Sequence, residues 1–123
     1  MRMSIAIPTY ESKGRGVEFL DDLFRTIEIQ TFKDFEVVVS DHSKDDKLIN
    51  VIDDFQYKFD ITYIKNKNDL GNGPANTNNA IKNCSGDIIK VMFQDDFFYD
   101  DEALQKIHDS FNDKHDWLVC GSN

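Results

Sequence analysis

The sequence has few of the features that mark secreted, membrane or metal-cysteine proteins. Its 123 residues contain two cysteines, Cys84 and Cys120, and neither has a CxxC partner or metal-ligand spacing. We therefore expect both to be reduced core residues. No apolar run approaches the ~20 residues that span a bilayer, and residues 1–10 lack the apolar segment of a signal peptide. These absences predict a soluble, cytoplasmic protein with no membrane span.

Positive charge is also scarce. The chain has 14 Lys and Arg against 23 Asp and Glu, a formal net charge of −9. Such a surface repels the nucleic-acid backbone, so we expect no nucleic-acid partner. A phosphate ligand would need a bound cation, a helix N-terminus or local Lys and Arg. A divalent metal held by carboxylates would meet that need, although an acidic composition also fits a chain that is acidic only for solubility.

Apolar segments of two kinds alternate along the chain, without internal repeats or a linker. Five short runs are typical of strands, at residues 4–8, 35–40, 61–64, 88–93 and 117–120. Four intervening segments have helical features. Two have an apolar helical face, formed by Leu20, Leu23, Phe24 and Ile27 in the first and by Leu48, Ile49, Ile52 and Phe55 in the second. The third begins at Gly73-Pro74 with Ala80, Ile81 and Cys84 inward, and the fourth has an acidic first turn at residues 100–102 followed by the apolar residues Leu104, Ile107 and Phe111.

This β-α-β-α-β-α-β-α-β order predicts an α/β fold with a doubly wound, mostly parallel sheet. The length suits one domain over residues 1–123. Ligands of such sheets bind beyond the carboxyl ends of the strands. The residues directly after each strand are therefore the first candidates for a functional site.

Polar residues follow three of the predicted strands. They lie at residues 8–11 after the first strand, 41–43 after the second and 94–96 after the fourth. An aspartate that ends a buried strand needs a partner, and for Asp41 this is either the N-terminus of the next helix or a ligand. The sequence leaves both interpretations of Asp41 open.

Asp95 and Asp96 are adjacent carboxylates directly after an apolar strand. Like charges repel, and a partly buried pair is costly without a cation. Oxygen ligands suit Mg²⁺ or Mn²⁺, which complete their shells with water and substrate phosphates. The pair therefore predicts a divalent metal site, with a solvated turn as the alternative.

Three strings carry a resemblance to a known family: SIAIPTYE, EVVVSDHSKDD and NDLGNGPANTNNAIKNCSGDIIKVMFQDDF. In order and spacing, from residue 4 to about residue 120, the chain resembles the family 2 glycosyltransferases. The resemblance implies a Rossmann-like GT-A fold that binds a nucleotide-sugar, usually UDP-linked, together with Mn²⁺ or Mg²⁺. A DXD-type motif after the fourth strand would hold the ribose and the metal.

Transferred by position, the resemblance gives roles to the strand-end residues. Asp41 would accept a hydrogen bond from the uracil N3–H, Asp95 would contact the ribose, and Asp96 would bind the metal that bridges the diphosphate. The implied nucleotide-binding residues are Pro8, Thr9, Tyr10, Glu11, Asp41, Gly71, Asn76, Asn78, Gln94 and Asp95, and the implied metal ligands are Asp95 and Asp96.

The sequence departs from the family pattern at three places. The arginine that is common in the loop at residues 71–78 is missing. Gln94 stands where the first acid of a DXD motif often lies. Family members also continue past this length with an acceptor site and a catalytic base. That base is not identified here, and the nearby candidates are Glu11, Asp45 and Asp100.

These features favour an enzyme that transfers, or slowly hydrolyses, the sugar of a UDP-sugar by inverting chemistry, with an unknown acceptor. The alternative is a non-catalytic module that binds UDP-sugar and metal and needs a partner, such as a second copy in a homodimer, for the acceptor half. A receiver domain is a third interpretation. It expects a pair of acids after the first strand, an aspartate after the third and a lysine after the fifth, and the sequence fails this pattern at all three places.

Overall fold

The computed structural model describes residues 2–10 and 14–111, where strands and helices alternate. The elements are β1 (Met3–Thr9), α1 (Gly16–Glu28), β2 (Phe35–Asp41), α2 (Ile49–Phe55), β3 (Asp60–Lys65), α3 (Gly73–Lys82), β4 (Ile88–Val91) and α4 (Ala103–Ser110). This order confirms the predicted α/β class. The predicted fifth strand, Cys120 and Glu11 lie outside the described residues.

The described strands form one parallel sheet in the order β3-β2-β1-β4. The chain builds outward from β1 through β2 to β3, and then crosses back to place β4 on the other side of β1. The direction of winding therefore reverses between β1 and β4. In open α/β sheets, such a reversal leaves a crevice beyond the strand ends where ligands bind.

One face of the sheet carries the main hydrophobic core, together with α1 and α2. The predicted inward face of α1 is confirmed, because its four apolar residues are fully buried. Phe24 meets the rings of Phe55 and Phe59 edge to face, at centroid distances of 5.4 and 5.5 Å. In α2, Ile52 and Phe55 are buried as predicted, whereas Ile49 is only half-buried.

Helix α3 packs against β1 and β2, and polar side chains mediate this contact. Ser40 donates to Asn76 Oδ1 at 2.7 Å and accepts from Asn79 Nδ2 at 2.9 Å. The predicted start of α3 is confirmed, since the Asn72 side chain accepts from the Ala75 N–H at 3.0 Å and a proline lies in the first turn.

The inward side of α3 is less apolar than the sequence suggests. Ala80 is fully buried, but Ile81 and Cys84 are half-buried. Cys84 is a free thiol whose sulfur lies 3.3 Å from the Ala80 carbonyl oxygen. Burial raises the pKa of this thiol, so it stays protonated near neutral pH.

Two predicted boundaries are wrong, the end of β4 and the start of α4. β4 ends at Val91 and not at residue 93, because the Phe93 N–H turns to the Asp96 carboxylate at 3.3 Å. The acidic residues do not lie in the first turn of α4. Glu102 is its N-cap, and Asp100 and Asp101 precede it. The predicted apolar face of α4 does reach the core.

Within residues 2–10 and 14–111, no helix combines the length and the apolar character needed to cross a membrane.

Candidate functional site

A cavity of about 810 Å³ opens at the carboxyl edge of the sheet, between the ends of β1 and β4. It lies where the winding direction reverses, as expected for a ligand site in this class of sheet. Its lining residues are Pro8, Thr9, Tyr10, Phe19, His42, Gly71, Gly73, Pro74, Asn76, Thr77, Asn78, Phe93, Gln94 and Asp95. Eight of the residues predicted to bind nucleotide are among them: Pro8, Thr9, Tyr10, Gly71, Asn76, Asn78, Gln94 and Asp95.

The β1 and β4 sides of the cavity are joined by a side chain. The backbone N–H of Tyr10 donates to Gln94 Oε1 at 2.6 Å, and Gln94 Nε2 donates to the Tyr10 carbonyl at 2.6 Å. Tyr10 as a whole residue is 44% exposed. Tyr10 therefore presents an aromatic face at the cavity mouth, and Gln94 holds its backbone through these two hydrogen bonds.

Asn76 forms the buried support beneath the cavity. Its Nδ2 donates to the Ser40 carbonyl at 3.0 Å and lies 3.4 Å from the Thr9 carbonyl, and its Oδ1 accepts from Ser40 Oγ and Asn66 Nδ2. Because it is 3% exposed and its amide has partners on both sides, its main role is to tie α3 to the ends of β1, β2 and β3. Asn78, by contrast, is exposed and polar.

Asp41 lies behind the cavity wall and not in the lining. It is fully buried, and Oδ1 accepts from the Ser43 N–H at 2.8 Å and from Thr9 Oγ1 at 3.2 Å. Oδ2 accepts from the Tyr63 hydroxyl at 2.5 Å and lies 3.8 Å from Lys65 Nζ. The carboxylate that the resemblance gives to uracil thus has protein partners on both oxygens.

The residues around Asp41 stabilise its negative charge, because Tyr63 donates a hydrogen bond to it and Lys65 lies close to it. Burial and the bond to Asp41 raise the pKa of Tyr63 well above its usual value, so the phenol remains a donor. Lys65 also bonds the Asp45 carbonyl and lies 3.6 Å from the Asp46 carboxylate. The loop after β2 is therefore held against β3 by one lysine.

Asp95 and Asp96 are both exposed. They lie in a solvated turn, and the prediction that the two carboxylates are partly buried is wrong. Asp95 lines the cavity and has no partner among the described residues. Asp96 closes the turn with Phe93, donating its own N–H to the Phe93 carbonyl at 3.0 Å. No group of three or more His, Cys, Asp or Glu side chains converges as a metal site in the described part of the chain.

The candidates for a catalytic base are not brought to the cavity. Asp45 is exposed and accepts from the Lys47 N–H at 3.2 Å. Asp100 pairs with Lys106 at 3.1 Å, and this bond lowers the pKa of its carboxyl. A lowered pKa makes Asp100 a weaker base. Glu11 lies outside the described residues.

Two residues that line the cavity, Phe19 and His42, were not among the residues predicted to bind the nucleotide. Phe19 is off the buried face of α1, and the Arg15 guanidinium lies 4.8 Å from the centroid of its ring. His42 is 4% exposed, and its Nε2 lies 2.9 Å from the Asn68 carbonyl oxygen and 3.1 Å from Asn66 Nδ2. The position of His42 after a strand was a signal, whereas Phe19 becomes a wall residue only through the packing of α1.

Comparison with solved structures gives the class of this fold. TarS from Staphylococcus aureus in complex with UDP-GlcNAc superposes with a TM-score of 0.78 at 22% identity, over 89% of this chain and 30% of that chain. A mannosyltransferase from Pyrobaculum calidifontis, solved with GDP-Man and Mn²⁺, gives a TM-score of 0.70 at 19% identity, over 84% and 30%. The fold is that of the GT-A glycosyltransferases.

The family follows from the sequence comparison. The model of glycosyl transferase family 2 matches residues 4–123, so the chain belongs to this family. A β-1,3-glucosyltransferase from Campylobacter jejuni, which acts on GalNAc(5)-diNAcBac-PP-undecaprenol, is 31% identical over 96 residues, 77% of this chain. The chain spans 30% of the length of that relative.

Proposed function

We propose that this chain forms the donor-binding part of an inverting glycosyltransferase that uses a UDP-sugar and Mn²⁺ or Mg²⁺. One observation supports this most directly. In a chain of family 2, the cavity between β1 and β4 is lined by aromatic rings, by the exposed amide of Asn78 and by the carboxylate of Asp95, which has no partner among the described residues. Aromatic and polar groups in this combination suit a nucleotide, which has a planar base, a ribose and charged phosphates.

The base would occupy the part of the cavity with aromatic and proline side chains, which include Tyr10 and Phe93. The related structures do not share one nucleotide, since TarS was solved with UDP-GlcNAc and the Pyrobaculum enzyme with GDP-Man. The preference for uracil is therefore our proposal. For Asp41 to accept the uracil N3–H, it would have to exchange one of its present partners, such as Thr9 Oγ1, for the base.

The residues present fit a metal that shares its ligands with the substrate. Asp95 lines the cavity and has no partner among the described residues. The next residue, Asp96, is exposed, and one of its oxygens accepts from the Phe93 N–H. Two carboxylates leave most of an octahedral shell to water and diphosphate oxygens, a usual arrangement for Mg²⁺. When bound, the metal would neutralise negative charge on the departing diphosphate.

The acidic chain offers few cations near this cavity. Among the described residues, no Lys or Arg lines it. The Arg15 guanidinium lies over the ring of the lining residue Phe19. Its pairing with Glu18 at 3.7 Å is between exposed side chains and is weak. We propose that Arg15 turns toward the diphosphate and supports the metal in balancing its charge.

A non-catalytic donor-binding module remains the second candidate. Among the described residues, Asp95 is the one carboxylate in the cavity lining, and it is already assigned to ribose and metal. An inverting transfer also needs a base that activates the acceptor hydroxyl. The catalytic base and the acceptor wall are therefore not assigned to this part of the chain.

Calorimetric titration of the chain with UDP, CDP and GDP, each with and without Mn²⁺, tests the proposal. We expect UDP to bind more tightly than CDP and GDP, and only when metal is present. Absence of any metal-dependent nucleotide binding would contradict both candidates. Asp41→Asn then tests uracil recognition, because a direct contact with N3–H predicts that the UDP to CDP preference falls toward one.

A further inference from the structure

The strands that flank the cavity separate before they reach it. Pairing between β1 and β4 runs from Met3 opposite Ile88 to Ala6 opposite Val91, and the last backbone bond is from the Met92 N–H to the Ala6 carbonyl at 2.9 Å. Beyond this point β1 continues to Thr9, paired only with β2. The separation of the two strands opens the cavity and leaves its mouth without backbone pairing.

The Gln94 side chain rejoins the two loops at that mouth. A single amide accepts from the N–H and donates to the carbonyl of the same residue, Tyr10, at 2.6 Å each. These bonds replace the backbone pairing that ended at Ala6. Within the described part of the chain, Tyr10 makes no other hydrogen bond, so these two restrain its backbone.

Only an amide of this length satisfies both bonds. A glutamate at position 94 would accept from the Tyr10 N–H, but would place a negative oxygen against the Tyr10 carbonyl, where a donor is required. A methionine would keep the length and lose both bonds. The bridge therefore depends on the donor and acceptor pair of Gln94.

We propose that Gln94 is a positioning residue for the nucleotide site, which clamps the Tyr10 backbone so that the ring stays at the cavity mouth. Its amide is then committed to the protein and is not a ligand of the ribose or the metal. The identity of the ligand rests on the proposed function, whereas the clamp itself rests on the geometry alone.

Hydrogen exchange of the Tyr10 amide tests the clamp without any ligand. In Gln94→Met we expect this amide to exchange about tenfold faster or more, since its acceptor is lost. Gln105→Met is the matched control, because Gln105 bonds Asp109 at 2.9 Å on α4, away from the cavity. An unchanged rate for the Tyr10 amide in Gln94→Met would overturn the proposal.

Nucleotide affinity tests the consequence for the ring. We expect Gln94→Met to weaken UDP binding about tenfold, and to have little further effect in a Tyr10→Ala background, where no ring remains to be positioned. Equal losses in both backgrounds would contradict an action through Tyr10. If the unsubstituted chain binds no nucleotide, the proposed function fails while the exchange experiment still decides on the clamp.

Gln94→Glu separates the clamp from a ligand role. The clamp predicts weaker UDP binding with or without Mn²⁺, because the Tyr10 carbonyl faces a carboxylate. A metal or ribose ligand at this position predicts the opposite, since an acid would strengthen Mn²⁺-dependent binding. Tighter binding of UDP by Gln94→Glu in Mn²⁺ would overturn the assignment of Gln94 as a positioning residue.

Discussion

At the scale of single residues, the polar side chains beyond the strands divide into two groups. Asp95 and Asn78 are exposed at the cavity, where a ligand would reach them. Asp41 and Asn76 are buried and already have several protein partners. A buried polar group without a partner is costly, so the second group is tied to the fold before any ligand binds.

Asp41→Asn should destabilise the chain, whatever its role toward the base. The amide keeps the size of the side chain but loses the negative charge that faces Lys65 Nζ and accepts from the Tyr63 hydroxyl. An amide donor turned to the Ser43 N–H would find no acceptor there. Weakening hydrogen bonds to a buried charged group costs about 1–3 kcal/mol, which denaturant unfolding would detect. Asp53→Asn on the exposed side of α2 is the control. An unchanged free energy of unfolding would show that the contacts of Asp41 make no net contribution to stability.

Asp96→Ala should abolish metal-dependent UDP binding while the fold stays intact. The side chain is exposed and makes one 3.3 Å bond within a turn, so its loss affects stability little, whereas loss of an oxygen ligand weakens a carboxylate metal site strongly. Titration of UDP with and without Mn²⁺ measures the effect, with Asp53→Ala as a control. An unaltered response to Mn²⁺ would remove Asp96 from the metal site.

At the scale of elements, loops are held by buried side chains that no periodic pattern reveals. Fully buried Gln30 donates to the Asp100 carbonyl at 2.7 Å and accepts from the Leu104 N–H at 3.0 Å. It thus joins the end of α1 to the start of α4. The acids before α4 predicted its general position, but the exact start of the helix depends on Gln30, a residue 74 positions away from Leu104.

Near the amino ends of β1 and β2, Glu36 holds the loop between α3 and β4. One carboxylate oxygen accepts from Ser4 Oγ at 2.5 Å and from the Ser85 N–H at 2.6 Å. The neighbouring Gly86 leaves no room for a larger residue, since an added Cβ would lie 2.6 Å from Ser4 Oγ. Burial opposes ionisation of Glu36, but these hydrogen bonds prevail and lower the pKa of its carboxyl.

This lowered pKa gives stability a predictable pH dependence. The folded state binds the Glu36 proton less readily than the unfolded state, so the contribution is fully present above the ordinary pKa of 4.5 and is lost as pH falls through the lowered value. We expect wild type to be more stable than Glu36→Gln at pH 7 and the difference to shrink in acid. Denaturant unfolding at several pH values measures this, and a pH-independent difference would contradict it.

At the scale of the whole molecule, the described residues supply a cavity with a single carboxylate in its lining, which we propose as the donor site. The chain spans 30% of the length of the glucosyltransferase that it resembles in sequence. Holding a leaving group does not by itself position an acceptor. Proximity of two reactants can supply ~7–11 kcal/mol of barrier lowering, and a general base ~10²–10⁴-fold in rate.

We therefore expect the 123-residue chain to hydrolyse a UDP-sugar slowly with Mn²⁺ or Mg²⁺, and to transfer little sugar to a simple acceptor. When no acceptor is bound beside the sugar, water is the available nucleophile. UDP release and acceptor glycosylation should be measured in parallel, with the oligomeric state determined in the same buffer. Rapid transfer by a monomer would contradict this expectation, and no UDP release with either metal would favour the binding-module alternative.

The sequence by itself determined the local features of this protein. The order of strands and helices, the buried face of α1 and the start of α3 depend on neighbouring residues, so apolar spacing and turn residues reveal them. The resemblance of the three strings placed the chain in its family, which the family model confirms over residues 4–123. It also named eight of the residues that line the cavity.

Only the tertiary structure decided which strand-end residues lie at the cavity. Asp41 and Asp95 both follow an apolar strand, and in sequence they are equivalent. β2 lies between β3 and β1, so neighbouring strands enclose Asp41 with Tyr63 and Thr9. Asp95 follows β4, which separates from β1 after Ala6, and is left in solvent at the cavity. Strand order and strand separation arise from pairing between distant segments, which local spacing does not encode.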